Sequence, residues 1–451
     1  MRLTKTSSIV LSFAILAGCS SSPPPNAGTG TTGGIKSKDG GKTSEKTPTE
    51  TVKPASEEDP KAKAAVESLE KTGAKLVRRD GAVVRVELGP EGSDADLLLL
   101  KDLPTVEVLV GDKRGVTDKG LESLAGHPAL KTLDLTQSGI TNAGMAHLDK
   151  LPKIEEVNLK KCDITAPGYE ALAKISTLKR IRAPQTHFNG DCLTALKDST
   201  WLEVLDLQDC NEVPKDQWKT LANFKNLKSL RIWGPTVDDS TLEFIVEAKN
   251  LKSLYLESTE VTKAGLDKVT VLEGIQTISL TNAKNIYDAE LEPLGKFKEL
   301  TSLELRNCAL NGKGLVHLAG LKKLKLLDLS ETFVKDAGLK SLAGMTSLED
   351  LNLWHTLITD AGLESIAGLV NLKRLNLDAC KISAKGMVYL GKLTQLEFLH
   401  IGSTQMDDAA LEGLSEHKKL KSLVVTFLPN VTDEGVNKLK AKLPGLTEIR
   451  R

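Results

Sequence analysis

The chain has 451 residues, with 60 Lys and Arg against 60 Asp and Glu, a balance that removes any whole-chain electrostatic case for a nucleic-acid or anionic-membrane partner. Hydrophobic residues make up 40%, enough for a core, but with only 8 Phe, 4 Trp and 4 Tyr that core has to be aliphatic. A length of about three ordinary domains is also the length of one repeat array, so internal repeats decide the fold.

Residues 1–18 place Arg2 and Lys5 before an apolar run from Ile9 to Ala17, and Leu16-Ala17-Gly18 stands directly ahead of Cys19. A short apolar run ending in small residues is the layout of a secretory signal, and it is too short for a mature membrane span. Leu16-Ala17-Gly18-Cys19, followed by Ser20, resembles the lipobox of bacterial lipoproteins. That resemblance implies that Cys19 is lipidated and becomes the N-terminus, and that the chain is anchored to a membrane of the bacterial cell envelope. Ser20 after the cysteine implies an outer-membrane or periplasm-facing destination. Residues 19–59 are Ser, Pro, Gly, Thr, Lys and Glu with few large apolar side chains, which predicts a disordered tether with a reach of roughly 35 Å. Gly40-Gly41-Lys42-Thr43 imitates the end of a phosphate-binding loop, but the glycine required earlier in that motif is Lys36, which excludes a nucleotide site.

Residues 60–105 read as an N-terminal cap. Pro60 to Thr72 is helical in pattern with Gly73 at its exit, and Leu76 to Leu88 contains Asp80-Gly81, a hairpin turn signal. From residue 106 to 451 one pattern recurs. Leu130-x-x-Leu133-x-Leu135 is followed by a small residue at Ser138, then Ile140, a Thr-Asn or Thr-Asp pair, Gly144, Met145, Leu148 and Leu151. Its first positions run from Val106, Leu130 and Ile154 to Leu372, Leu396 and Leu420, with a stub at Leu446, giving about 14 coils of about 24 residues. Leu133 and Leu135 alternate with Asp134, the period of a half-buried strand, while Leu363, Ile366 and Leu369 suit a short helix. Thr359-Asp360 is placed to cap that helix. Gly126, Gly320, Gly344 and Gly368 fit a left-handed helix exit.

This repeat resembles the leucine-rich repeats, and the wording Ile358-Thr359-Asp360-Ala361-Gly362-Leu363 resembles their cysteine-containing subclass. The resemblance implies an α/β solenoid, a horseshoe with a parallel β-sheet on the concave face and short helices on the convex face. Cys162, Cys210, Cys308 and Cys380 all fall three residues after the last strand leucine, where other coils have Ser138, Thr259, Thr332, Thr356 and Thr404. Such swapping predicts a small buried side chain that bonds backbone, with the thiols free, because skipping one coil puts the Cα atoms about 10 Å apart. Cys192 replaces the glycine of its coil and is expected to be unpaired as well.

The residues for chemistry are missing. No two of the seven histidines have helical zinc spacing, and no nucleophile elbow appears. Asp238-Asp239 and Asp407-Asp408 fall at the cap position and read as helix starts rather than metal ligands. No catalytic residue, metal or cofactor is expected. What the array offers is its inner face. Arg180, Arg182, Arg231, Trp233 and Tyr255 gather over neighbouring coils, and Trp354, His355, Phe398 and His400 gather nearer the C-terminus; Trp, Tyr and Arg on an exposed sheet are common interface anchors. Trp218, by contrast, falls on a core position. The expected function is non-catalytic recognition of a protein, or a glycan, on the concave sheet of a lipid-anchored protein, with no nucleic-acid partner. A structural envelope spacer without a specific ligand, or an adaptor subunit of an enzyme complex, is the alternative.

Overall fold

A computed structural model describes residues 59–451; the signal segment, Cys19 and the tether as far as residue 58 lie outside the described residues. Asp59 opens the first helix, Pro60–Lys71, by accepting from Lys61 N at 2.9 Å, and Pro60 sits where its missing N–H is harmless. Gly73, at φ 81°, turns the chain out. Strands Lys75–Arg79 and Ala82–Glu87 form the antiparallel hairpin that Asp80-Gly81 predicts, with both turn residues left-handed. Ala82–Glu87 also pairs in parallel with Val108–Val110, placing Val86 opposite Leu109. Since Val83, Val86 and Leu88 are buried and a short helix, Asp94–Leu99, follows, a coil already lies within residues 60–105.

From Val108–Val110 onward each strand pairs in parallel with the next, as far as Glu448–Arg450, so the described strands make one sheet of 17. Most are three residues long with only the central residue buried, as in Thr132–Asp134 and Asp350–Asn352. The ladder extends beyond them: Lys131 N donates to Glu107 O and Leu135 N to Asn158 O, both at 2.8 Å. Leu133, Leu135, Ile140, Met145, Leu148 and Leu151 of this coil are all buried, and the coils share one core that runs from Ala62 to Leu446. A coil this thin cannot bury its own apolar set, so each depends on its neighbours. Trp218 is fully buried, as its position predicts, and its indole N–H donates to Thr236 Oγ1 at 3.3 Å.

The helix exits differ from expectation. Gly126 is left-handed at φ 78°, but Gly320, Gly344 and Gly368 are not. There the chain leaves through a tight turn, in which Leu321, Met345 and Leu369 each donate N–H three residues back, to Leu318, Leu342 and Ile366 at 2.9 Å, and no left-handed residue is needed. The left-handed residue stands instead just after the strand, at Gln137, Lys161, Asn282, Asn307 and His355 with φ between 54° and 59°. This turn swings the following side chain inward, burying Cys162, Thr186, Thr356 and Cys380.

That small-residue column is not uniform. Each threonine returns its hydroxyl to its own coil, as Thr356 Oγ1 does to Leu353 O at 2.8 Å. The cysteines reach back one coil further: Cys162 Sγ to Leu135 O at 2.9 Å, Cys210 Sγ to Ala183 O at 3.1 Å, and Cys380 Sγ to Leu353 O at 3.0 Å. All five described cysteines are free and buried. Burial raises their thiol pKa values, that of Cys308 to about 12, so they are inert.

The helix starts carry a link that joins coil to coil. Thr359 Oγ1 accepts from Ala361 N at 3.3 Å, as a cap should. The carboxylate one coil earlier, Asp336, accepts from both Thr359 N and Thr359 Oγ1 at 2.7 Å. Asp118 holds Thr141, Asp360 holds Ser383 and Asp408 holds Thr432 in the same way. The glycine of the motif makes room for this carboxylate: a Cβ on Gly362 would lie 2.5 Å from Asp336 Oδ1, and one on Gly386 2.6 Å from Asp360 Oδ1.

Two outcomes check this packing. Gly362→Ala should destabilise by about 1 to 3 kcal/mol, whereas Gly344→Ala, which meets nothing within 4 Å, should leave the melting temperature unchanged or raised; equal losses would contradict the carboxylate link. Cys210→Ser keeps a donor for Ala183 O and should cost less than about 1.5 kcal/mol in urea unfolding.

Candidate functional site

Strand pairing places the predicted inner-face residues in known order. Asn158, Arg182, Asp206, Arg231 and Tyr255 stand opposite one another on five successive strands, and Ser279 follows Tyr255. Arg180, Arg182, Arg231, Trp233 and Tyr255 are therefore on one face, all half-buried. Arg231 lies over the Tyr255 ring, 4.1 Å from its centroid, a cation–π contact strengthened by partial desolvation. Trp233 stands opposite Glu257.

These arginines are not free anchors. Arg182 Nε meets Glu156 Oε1 at 2.7 Å and its Nη1 faces Asp206 at 3.8 Å; Arg180 lies 3.7 Å from Glu156 and 3.8 Å from Glu155. Arg231 bridges Asp206 and Glu257, each at 3.7 Å, and donates to Gln208 Oε1 at 3.2 Å. The chain of Glu156, Arg182, Asp206, Arg231 and Glu257 ties five coils across the sheet. It rests on acids that a search for aromatic and arginine anchors passes over.

The second group does not come together. Trp354 lies two residues beyond Asn352, and Phe398 two residues before His400, while Asn352, Asn376 and His400 stand in register. Trp354 and Phe398 are therefore on opposite sides of the inner face, roughly 16 Å apart by strand spacing and rise. His355 is exposed on the left-handed turn, its ring tilted 6.2 Å from that of Trp354. His400 faces Asp378 at 3.8 Å, and burial lowers its pKa despite that carboxylate. Each ring has an arginine partner absent from the sequence-predicted set: Arg306 lies 5.1 Å from the Trp354 centroid and Arg374 4.5 Å from that of Phe398. Arg306 and Arg374 stand two residues after and before the central outward position of their strands, so they share its face by simple alternation.

Between the two groups the face is acidic. Glu304 and Asp328 are direct neighbours on adjacent strands, and Asp350 and Glu257 flank them. Burial raises the pKa of all four, that of Glu257 to about 7. For Glu257, Arg231 opposes the shift while Glu304 and Asp206 add to it. Among the described residues no group of three or more His, Cys, Asp or Glu is arranged to hold a metal ion. His127 and His417 are buried and face backbone carbonyls, Leu103 O at 3.2 Å and Leu390 O at 3.1 Å, which is a packing role.

The Glu257 carboxyl is protonated in the fold at pH values where it ionises in the unfolded chain. Its folded pKa is the higher of the two, so the fold loses stability as pH rises from the ordinary carboxylate range to about 7. Glu257→Gln should therefore stabilise by about 2 kcal/mol at pH 8 and by much less at pH 5; thermal melts that show the same shift at both pH values would contradict this.

Residues 322–382 match the leucine rich repeat family, and residues 150–173 match a second leucine rich repeat description. No curated protein sequence matches the chain. Among solved structures, the chain is similar to an internalin from Listeria monocytogenes, at 18% identity over 81% of this chain and 94% of that one, with a TM-score of 0.45. It is similar to a leucine-rich-repeat protein of Leptospira interrogans at 18% identity over 78% and 92%, TM-score 0.49. An internalin C2 from Listeria monocytogenes is 32% identical over 42% of this chain and 73% of its own, TM-score 0.33. With the parallel ladder, the recurring leucine core and the two matched segments together, the chain carries leucine-rich repeats and its fold is a leucine-rich-repeat solenoid.

Proposed function

We propose that this is a lipid-anchored leucine-rich-repeat protein of the bacterial cell envelope that recognises a protein partner on its inner sheet and performs no catalysis. A stack of leucine-rich repeats is a scaffold for protein–protein interaction that presents one continuous surface. The observation that carries the reading is that surface: strand after strand presents half-exposed polar and aromatic side chains in register, with Trp233, Tyr255, Trp354 and Phe398 among them. Aromatic side chains held this way bury much area on contact at low entropic cost. Among the described residues no three His, Cys, Asp or Glu converge on a metal-sized point, and the arginines of the N-terminal part of the face are tied to acids in ion pairs. A glycan partner would use the same rings, and a spacer would use none of them.

The anchor rests on the lipobox resemblance at Cys19. Among the described residues no helix is long and apolar enough to cross a membrane, so attachment by acyl chains is the means the sequence supports. Cys19→Ala should abolish incorporation of labelled palmitate and move the chain out of the membrane fraction; retention of both would overturn the anchor.

Recognition is tested by crosslinking and pull-down from bacterial envelope membranes with the full chain as bait, beside a Trp233→Ala, Trp354→Ala variant. A protein lost with the variant, whose melting temperature stays close to the parent's, supports recognition on the inner sheet. Identical recovery with both baits puts recognition on another face and overturns the inner-sheet reading, and recovery of none supports the spacer.

A further inference from the structure

We propose that the stretch of inner sheet from Tyr255 to Asp378 docks a basic, extended peptide segment of a protein partner. This rests on the inner-face reading above and adds the chemistry of what binds there.

Charge is the first ground. Glu257, Glu304, Asp328, Asp350 and Asp378 all project from this face; Arg231, at its edge, meets Glu257 at 3.7 Å, and within it stand two arginines, Arg306 and Arg374. Both arginines are committed. Arg306 Nε is held by Glu331 at 2.5 Å, and Arg374 Nε by Asp350 at 3.1 Å. The nearby Lys325 and Lys373 are both tied to Glu349, at 2.9 Å and 2.7 Å. Among the described residues no Lys or Arg forms an ion pair with Glu304 or Asp328, although the two stand opposite each other in register. Like charges placed directly across a ladder destabilise it, and a cationic side chain laid between them relieves that repulsion.

The rings are the second ground, and they are independent of the acids. The protein already sets one of its own guanidinium groups over each of Tyr255, Trp354 and Phe398, at 4.1 Å, 5.1 Å and 4.5 Å. These contacts show which chemistry the aromatic surfaces of this sheet accept.

The spacing selects an extended segment rather than a small cation. The acids are spread over six successive strands, on the order of 24 Å, and no three of them converge on a metal-sized point. An extended chain lying across the strands, rising about 3.3 Å per residue, covers that span in about seven or eight residues.

The test uses the full chain and fluorescence anisotropy with two labelled nine-residue probes, one alternating Lys and Ser, the other alternating Glu and Ser. The Lys probe should bind and the Glu probe should not. Glu304→Gln, Asp328→Asn should weaken the Lys probe about tenfold. Glu349→Gln, Glu397→Gln, which removes as much charge from outside the trough, should weaken it less than about twofold. Equal weakening by the two variants would reduce the effect to net charge and overturn the proposal, as would failure of the Lys probe to bind. If the Lys probe fails while the pull-down still loses its protein with Trp233→Ala, Trp354→Ala, inner-face recognition stands and the basic segment falls; if both fail, both readings fall.

Discussion

Each three-residue strand must find the next at the same register, because nothing smaller than the stack holds a coil closed. The leucine core supplies the affinity between coils but little register of its own, since one leucine layer resembles another. Register comes from polar groups with one fitting partner. Asp336 takes both donors of Thr359 one coil on, and Gly362 leaves the space that this requires. The sulfur of Cys380 reaches Leu353 O, which already receives Thr356. Because each bond runs from one coil to its neighbour, stability is a sum of nearest-neighbour terms, and the inner face inherits its order from them.

That order makes the inner face electrostatically uneven. At its N-terminal part, arginines and acids alternate from Glu156 to Glu257 and neutralise one another. Further on, Glu304 and Asp328 meet without a base, and burial raises both pKa values. A solenoid whose face were neutral throughout would have no preference along its length. Here the preference lies where the chain leaves its own carboxylates unanswered, between rings that already hold guanidinium groups.

Much of this is legible in the sequence, for reasons that differ by residue. Leu133, Leu135 and Leu148 recur at fixed spacing, and burial imposes that spacing, so the strand, the helix and the solenoid follow. Trp218 and the free thiols follow from the same columns. Less legible are features set by three-dimensional neighbours. Asp336 and Thr359 are 23 residues apart, and only the register shows that the acid of one motif serves the next. The grouping of Trp354 with Phe398 counts coils but not position along the strand, and so joins residues on opposite sides of the sheet. The left-handed residue escapes detection because in all but the coil of Gly234 it is Gln, Lys, Asp, Ser, Asn, Glu, His, Ala or Phe rather than the glycine usually associated with that conformation.

The carboxylate link between helix starts is not continuous. Asp94, Asp118 and Asn142 each hold the coil that follows them, but Ala166 and Gly190 cannot, and at the next junction Lys215 pairs with Asp238 instead. Over these same junctions the sheet side carries the run from Glu156 through Arg182 and Asp206 to Arg231. The link is also missing where Lys263, Lys313 and Ala384 take the first helix position, so it comes in runs. Only across residues 166–238 do three successive junctions lack it among the described residues, and there the sheet side contributes longer ion pairs, which salt screens. Ionic strength thus weighs most on the part of the stack that presents the arginines.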